Sequence, residues 1–405
     1  MVREGYKQTE MGMIPEDWSV VLLSSISKIT RLAGYEYSTV WNETPNGEII
    51  ALRGFNIGAN KINNRDIVRI SNQLSMRLRR SRLYCGDVVY PCVGTIGNAA
   101  VVEEDDKYHI QQNIAKITPH KELYPYYLAC YLMSIYGLKE VDRFNATSSQ
   151  PNVLVGSLRK YRVILPKEIG EQKTIAQVLS DVDALIDGLE KLIAKKRDIK
   201  TATMQGLLAG KIRLPGFGEG KVYKQTELGE IPEDWEVIEL GDVLSVHHGK
   251  DQKQVETQCG SYPILASGGE IGRTDTPLYS KPSVLIGRKG TIDKPMYMEQ
   301  PFWTVDTLFY TEINEASSAK FLYYKFALID WYSYNEASGV PSLNAKSITK
   351  IPLTIPTIFE EQQAIATVLS DMDEEILSLQ VRLNKTKVIK KGVMQELLTG
   401  NIRLV

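Results

Sequence analysis

The sequence is poor in the residues that build disulfides and metal sites. It holds four cysteines and four histidines among 405 residues. The cysteines include no Cys-x-x-Cys pair, so their spacing predicts neither a zinc site nor a disulfide framework. Free cysteines are typical of a reducing compartment, and we therefore expect a cytoplasmic protein.

Long apolar runs are also lacking. No segment approaches the ~18–20 apolar residues that cross a bilayer, and the first residues do not resemble the apolar core of a signal peptide. We expect no membrane association. The hydrophobic fraction of 43% and the charged fraction of 24% are ordinary for a globular protein. The length of 405 residues predicts two to three domains.

Catalytic motifs are missing as well. The sequence has no phosphate-binding G-x-x-x-x-G-K-[ST] loop, no glycine-rich dinucleotide fingerprint and no Asn/Asp-Pro-Pro-aromatic tetrad. Asp87 with Asp105, Asp106 and Lys107 loosely matches a nuclease set of carboxylates and lysine, a pattern that arises easily by chance. We predict no catalytic residue and no metal ligand, and a binding function.

Charge of one sign does not dominate, because the net charge is −1. Residues 53–82 are an exception, with eight basic residues against Asp66 alone. Clustered basic residues on a near-neutral chain favour a face that contacts nucleic acid. A solvated basic pair of strands explains this run equally well.

The main feature that the sequence does have is a repeat of three separated phrases, which we call the frame segments. Residues 6–20 recur at 223–237 with 12 of 15 positions identical. Residues 171–183 recur at 361–373, and residues 204–214 recur at 394–404. The first recurrence lies 217 residues along the chain and the other two 190, so the second half is 27 residues shorter between the frame segments. A period of half a protein predicts a pseudo-two-fold tandem rather than a solenoid.

Two long helices are predicted, at residues 168–209 and 359–399. In the first, apolar residues follow heptad spacing with one polar exception, Lys196, and a flanking stripe of Leu179, Ile186 and Ile193 widens the face. Gly210 and Gly400 follow the helices and can end them. We predict that the two helices pack antiparallel; the alternative is that each packs on its own neighbouring module. The predicted heptad positions are Ile175, Val178, Val182, Leu185, Leu189, Leu192, Lys196 and Ile199.

The modules between the frame segments read as short strands separated by Gly, Pro and Asn turns, and each has one aromatic amphipathic helix, at 125–138 and 319–331. The predicted fold class is therefore mixed α/β, with two globular domains separated by two long antiparallel coiled-coil helices in a pseudo-two-fold internal repeat.

The frame segments resemble those of the specificity (S) subunit of type I restriction–modification enzymes. The matching motifs are Thr-Glu-x-Gly-x-Ile-Pro-Glu-Asp-Trp at 9–18 and 226–235, Glu-Gln-x-x-Ile-Ala-x-Val-Leu-Ser-Asp-x-Asp at 171–183 and 361–373, and Leu-Leu-x-Gly-x-Ile-Arg-Leu at 207–214 and 397–404. The resemblance covers the full chain, with both copies in order. The modules match only in layout.

The resemblance implies four domains and a DNA-binding role. Residues 1–166 would be a first target recognition domain, 167–210 a central spacer helix, 211–357 a second recognition domain and 358–405 a C-terminal spacer helix. Each recognition domain would read one half of a split double-stranded DNA site. The helices would dock two methyltransferase subunits, and restriction subunits would join the complex.

The family is not catalytic by itself, so the resemblance implies that S-adenosylmethionine, ATP and Mg²⁺ bind to partner subunits. The assembled complex would be an adenine DNA methyltransferase and an ATP-dependent endonuclease. The alternatives from other classes are a stand-alone coiled-coil adaptor and a DNA-binding module of another kind.

Candidate DNA-binding residues are polar or basic residues in predicted loops, because Arg and Lys contact phosphates while amides, hydroxyls and Arg read base edges. For any one of them, an exposed polar residue without DNA contact is an interpretation of equal weight to a DNA contact. Those of the first module are Arg77, Arg79, Arg80, Arg82, Thr95, Gln111, Gln112, Asn113, Ser148, Ser149 and Gln150. Those of the second are His248, Lys250, Arg273, Lys281, Arg288, Lys289, Thr291 and Ser338, with His247 and His248 in a predicted loop.

Overall fold

The computed structural model describes residues 3–145, 152–218 and 222–404. The chain forms two compact units. Unit 1 contains Met1–Glu190 together with Val381–Val405, and unit 2 contains Lys191–Gln380. Each unit therefore combines one module with part of both long helices. The predicted domain boundaries divide the chain by sequence segment and stay a prediction.

In its described residues, unit 1 contains short strands in four sheets, short helices and parts of both long helices. Its strands are β1 (Tyr6–Thr9), β2 (Gly12–Pro15), β3 (Ser19–Leu22), β4 (Ser27–Arg31), β5 (Ile49–Leu52), β6 (Val68–Ile70), β7 (Val88–Pro91), β8 (Ala100–Val101), β9 (Tyr108–Ile110), β10 (Ile114–Pro119) and β11 (Arg162–Leu165). Its helices are α1 (Leu23–Ile26), α2 (Gly34–Thr39), α3 (Asn72–Arg77), α4 (Pro125–Met133), α5 (Ile135–Phe144), α6 (Val155–Leu158) and the first part of α7 (Ile169–Leu208), with 3-10 turns at Gly54–Asn56 and Arg79–Ser81.

Unit 2 repeats this layout with one additional strand. Its strands are β12 (Tyr223–Thr226), β13 (Gly229–Pro232), β14 (Trp235–Glu239), β15 (Leu244–His248), β16 (Glu256–Thr257), β17 (Tyr262–Ala266), β18 (Gly269–Thr274), β19 (Ser283–Gly287), β20 (Met296–Met298), β21 (Trp303–Thr304), β22 (Leu308–Ile313) and β23 (Pro352–Pro356). Its helices are α8 (Leu240–Val243), α9 (Ala319–Phe326), α10 (Ala345–Thr349) and the first part of α11 (Phe359–Leu398), with a 3-10 turn at Trp331–Tyr334.

The sheets of the two units correspond pair by pair. An antiparallel four-stranded sheet runs β4-β10-β7-β8 in unit 1 and β15-β22-β19-β20 in unit 2. A second sheet runs β6-β5-β9 in unit 1 and β16-β18-β17-β21 in unit 2, and its final pairing is parallel in both. Hairpins β1-β2 and β12-β13 and pairs β3-β11 and β14-β23 complete the match. The two modules therefore share a topology.

Both long helices form as the sequence predicts, over Ile169–Leu208 and Phe359–Leu398. Gly210 and Gly400 end them with φ of +67° and +72°, the left-handed region that glycine adopts without strain. A side chain at either position would also collide with a neighbour, since a Cβ atom would lie 2.5 Å from Pro232 or Pro15.

Ion pairs show that the two helices run antiparallel inside each unit, as predicted. In unit 1, Asp183 pairs with Lys390 and Glu190 pairs with Lys387. In unit 2, Lys196 lies 2.7 Å from Glu375, and Lys200 lies 2.5 Å from Asp373. Partner numbers fall as helix numbers rise, which only antiparallel helices allow. The acids lie on α7 in unit 1 and on α11 in unit 2.

The predicted buried face of α7 is confirmed in part, because Ile175 and Leu189 of the predicted heptad are 1% and 5% exposed, but the buried face is rotated toward the flanking stripe. Leu179, Ile186 and Ile193, expected to flank the face, are at most 9% exposed. Leu185 and Leu192, expected at its centre, are 44% and 38% exposed. Both stripes have period 7, so apolar spacing alone does not distinguish them.

The frame segments meet in a contact that we call the clasp. In unit 1, Arg403 donates to both oxygens of Glu171 at 2.5 and 3.0 Å and to both oxygens of Asp17 at 2.9 and 3.0 Å. Trp18, fully buried, donates its indole N–H to Glu171 at 3.0 Å, and Tyr6 donates to the Gly400 carbonyl at 2.8 Å. All three frame segments therefore supply residues to one cluster.

Unit 2 contains the same clasp. Arg213 donates to Glu361 at 2.7 and 2.9 Å and to Asp234 at 2.9 and 2.7 Å, and Trp235 donates to Glu361 at 3.3 Å. Hydrogen bonds from the arginine, together with its charge, lower the pKa of Asp17 in one clasp and of Asp234 in the other. The repeated motifs are thus explained by one conserved geometry in each unit.

The glutamine of each Glu-Gln motif is buried and joins the long helix to the aromatic helix. In unit 1, Gln172 accepts from the Tyr124 N–H at 2.8 Å, directly before α4, and donates to the Pro166 carbonyl at 3.1 Å. In unit 2, Gln362 accepts from the Ser318 N–H at 2.9 Å and donates to the Pro356 carbonyl at 3.0 Å. A buried amide must satisfy both its donor and its acceptor, which these bonds do.

Two local predictions are corrected by hydrogen bonding. The single helix predicted at 125–138 is two helices, because Ser134 accepts from the Tyr136 and Gly137 N–H groups and begins α5 as its N-cap. The helix predicted at 319–331 ends at Phe326 and is followed by the 3-10 turn. Among the described residues, no helix combines the length and the apolar character needed to cross a membrane.

Candidate nucleic-acid interface

In each unit, loops meet at one end of the two inner strands of the four-stranded sheet, held by the same backbone hydrogen bonds. In unit 1, Cys92 N–H donates to the Asn113 carbonyl at 2.7 Å, Val153 N–H donates to the Cys92 carbonyl at 2.9 Å, and Val93 bridges Asn152. We call residues 92–95, 111–113 and 152–154 the loop surface of unit 1.

The loop surface of unit 2 comprises residues 288–291, 305–307 and 341–343. Arg288 N–H donates to the Thr307 carbonyl at 2.9 Å, Leu343 N–H donates to the Arg288 carbonyl at 2.9 Å, and Lys289 bridges Ser342. These bonds repeat those of unit 1 residue for residue. The two loop surfaces therefore share a backbone but carry different side chains.

Several predicted residues lie on these surfaces. Asn113 adopts φ of +64°, which asparagine tolerates and which turns the chain between β9 and β10. The Thr95 hydroxyl donates to the Gly54 carbonyl at 3.0 Å, which connects the 3-10 turn Gly54–Asn56 to the loop surface of unit 1. The predicted residues that the fold brings together are Thr95, Gln111, Gln112 and Asn113 in unit 1 and Arg288, Lys289 and Thr291 in unit 2.

Other predicted residues lie nearby or elsewhere. Arg77, Arg79 and Arg80 are exposed on α3 and the turn after it. His248 is the last residue of β15, and Lys250 lies two residues after it. The Lys250 N–H donates to the Thr304 carbonyl beside the loop surface. Their placement corrects the loop predicted for His247 and His248, which are on strand β15. The residues farther along unit 2 are Arg273 on β18, exposed Lys281 before β19, and exposed Ser338. Ser148, Ser149 and Gln150 lie outside the described residues.

Arg82 is the basic candidate whose surroundings argue against a DNA contact. Its side chain is 4% exposed and lies 2.8 Å from Asp106. It also donates to Asn72 at 2.8 Å and Ser75 at 3.2 Å. A guanidinium enclosed by its own unit positions local structure, so the basic run 53–82 is not one exposed face.

The carboxylates of the loose nuclease pattern are already engaged. Asp87 is buried and pairs with Lys116 at 2.9 Å, while Asp105 accepts from the Cys85 N–H at 2.8 Å. Across the part of the chain that the structure describes, no cluster of His, Cys, Asp and Glu could hold a metal ion. The loop surfaces can accordingly form hydrogen bonds and ion pairs, and we assign them no chemistry beyond binding.

One cleft of unit 1 contains residues that the sequence did not single out. Arg31, at the end of β4, and Asn152 line it together with Gln112 and Asn113. Burial raises the pKa of the Cys92 thiol in this cleft to about 12, and the nearby Arg31 charge acts in the opposite direction. The repeat could have pointed to Arg31, because the position 217 residues later is His248, one of the candidate DNA-binding residues.

Comparison with known proteins agrees with this geometry. The chain matches the type I restriction modification DNA specificity domain twice, at residues 15–197 and 232–387. A Methanocaldococcus jannaschii protein described as the type I restriction enzyme MjaX specificity subunit is 27% identical, with 99% of this chain and 97% of that protein covered. The type I restriction enzyme MjaVIII specificity subunit of the same organism is 25% identical, with 99% and 96% covered.

Solved structures share the fold. The S subunit of a type I restriction-modification system from M. genitalium superposes with a TM-score of 0.62 at 17% identity, covering 94% of this chain and 96% of that one. A chain from a structural study of complex assembly and conformational transition in the type I R-M system gives a TM-score of 0.58 at 16% identity, covering 96% and 99%. With two matched domains, a frame repeated in both halves and the fold of solved S subunits, the chain belongs to the family of type I restriction modification DNA specificity domains.

Proposed function

We propose that this chain reads a bipartite double-stranded DNA site, one half-site per unit, and directs the methyltransferase and restriction subunits of a type I complex to it. The observation that carries this proposal is the pair of loop surfaces. Their backbone bonds coincide, whereas Cys92, Val93, Gln112 and Asn113 of unit 1 correspond to Arg288, Lys289, Asp306 and Thr307 of unit 2. One scaffold with two sets of donors and acceptors suits two different half-sites.

The side chains suit base-edge contacts of different kinds. The amides of Gln112 and Asn113 can pair with adenine through one donor and one acceptor, and the guanidinium of Arg288 can contact guanine. Arg288 also lies 3.6 Å from Asp306, so the two would compete for base edges or act as a pair. We propose that Thr95, Gln111 and Thr291 contribute from the same loops, and that Lys289 contacts phosphate.

The helices supply surfaces for partner subunits. In unit 1, Leu185 and Val388 are 44% and 69% exposed, and in unit 2, Leu192 and Leu377 are 38% and 60% exposed. Apolar side chains exposed on helices mark protein contacts when they cluster. We propose that two methyltransferase subunits dock on the helices and that restriction subunits join this assembly. S-adenosylmethionine, ATP and Mg²⁺ would bind those partners, and this chain would have no catalysis of its own.

The test is methylome sequencing of a host that expresses the chain with its methyltransferase subunit. Gln112→Ala with Asn113→Ala should relax one half-site, and Arg288→Ala should relax only the other. Lys350→Ala, an exposed basic change between α10 and β23, is the control and should leave the methylated sequence unchanged. A unit 1 variant that relaxes both half-sites contradicts the assignment of one half-site to each unit.

A second measurement separates the proposal from an adaptor role. The purified chain, with and without methyltransferase subunits, is assayed for DNA affinity, methyl transfer and DNA cleavage. We expect sequence-specific affinity in the complex and neither reaction from the chain alone. A complex that assembles but binds all DNA equally would support the adaptor, and methyl transfer by the chain alone would contradict the non-catalytic role.

A further inference from the structure

Three arginines from separate elements of unit 1 line a single cleft of about 400 Å³. Arg31 is the last residue of β4, Arg80 lies in the 3-10 turn Arg79–Ser81, and Arg159 follows α6. Two hydrogen bonds fix these elements to the same strand. Thr30 donates to the Arg80 carbonyl at 3.0 Å, and Arg159 donates to the Ile29 carbonyl at 3.0 Å. The convergence is therefore part of the folded unit.

The positive charge of this cleft is incompletely balanced. Among the described residues, neither Arg31 nor Arg159 has a carboxylate within ion-pair distance. Glu36 lies 3.7 Å from Arg80, but its carboxylate also accepts from the Ala33 N–H at 2.8 Å. Exposed guanidiniums that converge repel one another and attract an anion, and their planar N–H groups match phosphate oxygens.

A second cleft adjoins the first and carries amides. It shares Arg31, Leu154 and Val155 with the arginine cleft, and Gln112, Asn113 and Asn152 line the rest of it. Arg31 therefore stands between a cationic cleft and a cleft that can read a base edge. Phosphates and base edges lie side by side along a DNA groove, so one duplex could occupy both clefts.

We propose that Arg31, Arg80 and Arg159 form a phosphate clamp that sets the register of the DNA backbone while Gln112 and Asn113 read the adjoining bases. This inference rests on the proposed DNA-binding function and deepens it, since it assigns Arg31 and Arg159 as positioning residues. Their role is to hold the backbone, so their loss weakens binding without changing the sequence read.

Unit 2 holds no copy of the clamp at the corresponding positions. His248 stands where unit 1 has Arg31, and Thr349 stands where it has Arg159. On the loop surface of unit 2, Lys289 is the residue proposed to contact phosphate, next to Arg288, which is proposed to contact a base edge. The two half-sites are therefore held through phosphates by different loops, and the clamp serves only the half-site of unit 1.

The experiment uses the full chain assembled with its methyltransferase subunits and a duplex carrying the methylated site. The variant is Arg31→Gln with Arg159→Gln. Lys160→Gln, at the exposed neighbour of Arg159 that does not line the cleft, is the matched control. Affinity is measured from low to high salt, and single phosphates are replaced by neutral methylphosphonates along both half-sites.

We expect the double variant to lose about 10–100-fold in affinity and to lower the slope of log K against log salt by about 1–2, as loss of one or two phosphate contacts requires. Wild-type protein should lose affinity at one or two methylphosphonate positions beside the unit 1 half-site, and the variant should be insensitive there. The methylated sequence should stay the same, and melting temperature should match that of Lys160→Gln.

Three results overturn the clamp. The first is a salt slope of the double variant equal to that of Lys160→Gln. The second is an equal effect of the methylphosphonate positions on variant and wild type. The third is a change in the methylated half-site, which would make these arginines base readers. A misfolded double variant is replaced by Arg31→Lys with Arg159→Lys, which keeps charge and should recover part of the affinity. If wild-type complex shows no site-specific binding at all, the proposed function fails, whereas unaffected variants in an active complex reject the clamp alone.

Discussion

At the scale of single residues, one arginine joins all three frame segments of each unit. Arg403 and Arg213 each bind two carboxylates in bidentate fashion and lie over the ring of a buried tryptophan at 5.6 and 5.9 Å. Bidentate guanidinium–carboxylate pairs are the strongest of the ordinary ion pairs, and losing one partner leaves the other charges uncompensated. The invariance of these positions between the two halves follows from this shared task.

The first prediction concerns these clasps. Arg403→Ala should destabilise unit 1, and Arg213→Ala unit 2, each by roughly 2–4 kcal/mol, because Glu171 and Glu361 would stay largely buried without a counter-charge. Hydrogen exchange monitored separately over the two units measures this. Arg382→Ala, at an exposed arginine of α11, is the control. Equal loss of protection in both units from one variant would contradict a clasp confined to its own unit.

Lys325 is a second residue whose setting has a measurable consequence. It is buried in unit 2, where its ammonium donates to the Leu208 carbonyl and to the Thr354 hydroxyl, each at 3.0 Å. Burial lowers the pKa of Lys325 from 10.5 to about 7. The corresponding position of unit 1 is Tyr131, so this charge has no counterpart there.

The second prediction is a pH dependence of stability caused by Lys325. Between pH 7 and 10.5 the unfolded chain binds a proton at this lysine that the folded chain does not, so the free energy of unfolding should rise with pH across this window, by up to about 1.4 kcal/mol per unit. Urea unfolding at pH 7, 8 and 9 measures it. Lys325→Met should flatten the slope, whereas exposed Lys346→Met should not. A slope unchanged in Lys325→Met would reject this assignment.

At the scale of elements, α7 and α11 each bury apolar side chains, and the ion pairs between them show that they run antiparallel. Asp183 with Lys390 and Lys200 with Asp373 occupy equivalent positions of the two units, and each acid belongs to the Ser-Asp-x-Asp part of a frame segment. Asp373 also accepts from the Tyr324 hydroxyl at 2.8 Å, whereas Asp183 accepts from the Asn60 amide at 3.0 Å. The equivalent carboxylates, Asp183 and Asp373, thus each join the helix pair to the module of their own unit.

The third prediction separates the buried and exposed faces of α7. Leu189→Asp should cost roughly 3–5 kcal/mol, because Leu189 is 5% exposed and a carboxylate there would be desolvated. Leu185→Asp should change stability little, since Leu185 is 44% exposed. Thermal melting measures both. A strongly destabilised Leu185→Asp would contradict the observed face, and a fully stable Leu185→Asp that fails to co-purify with methyltransferase subunit would support docking there.

At the scale of the whole molecule, each long helix contributes to both compact units, and each ion pair between the helices lies within a single unit. In chain order, the first, second and sixth frame segments form the clasp of unit 1, and the third, fourth and fifth form the clasp of unit 2. Each clasp therefore lies within one unit, and we expect the helices to be the elements whose length can change without altering either clasp.

The fourth prediction uses this freedom. Four residues inserted after Glu190 and four after Gln380 lengthen both helices by about 6 Å, close to one turn, and leave the ion pairs of each unit intact. If helix length sets the unread gap, methylome mapping should find both half-sites unchanged and the gap longer by one or two base pairs, at ~3.4 Å each. Insertion in α7 alone is the contrasting variant and should lower activity. An unchanged gap in an active double-insertion complex would mean that other elements set the spacing.

The sequence by itself determined the tandem repeat, both long helices to within a residue at each end, and the α/β character of the modules, because periodicity, helix-ending glycines and repeated motifs are properties of neighbouring residues. It also placed Gln112, Asn113 and Arg288 in loops. Only the tertiary structure decided that Arg82 is buried, that Leu185 is exposed, and that Arg31 and Arg159 share a cleft. Those outcomes depend on pairings between residues far apart in the chain, and a sequence pattern fixes the period of a face without fixing what packs against it.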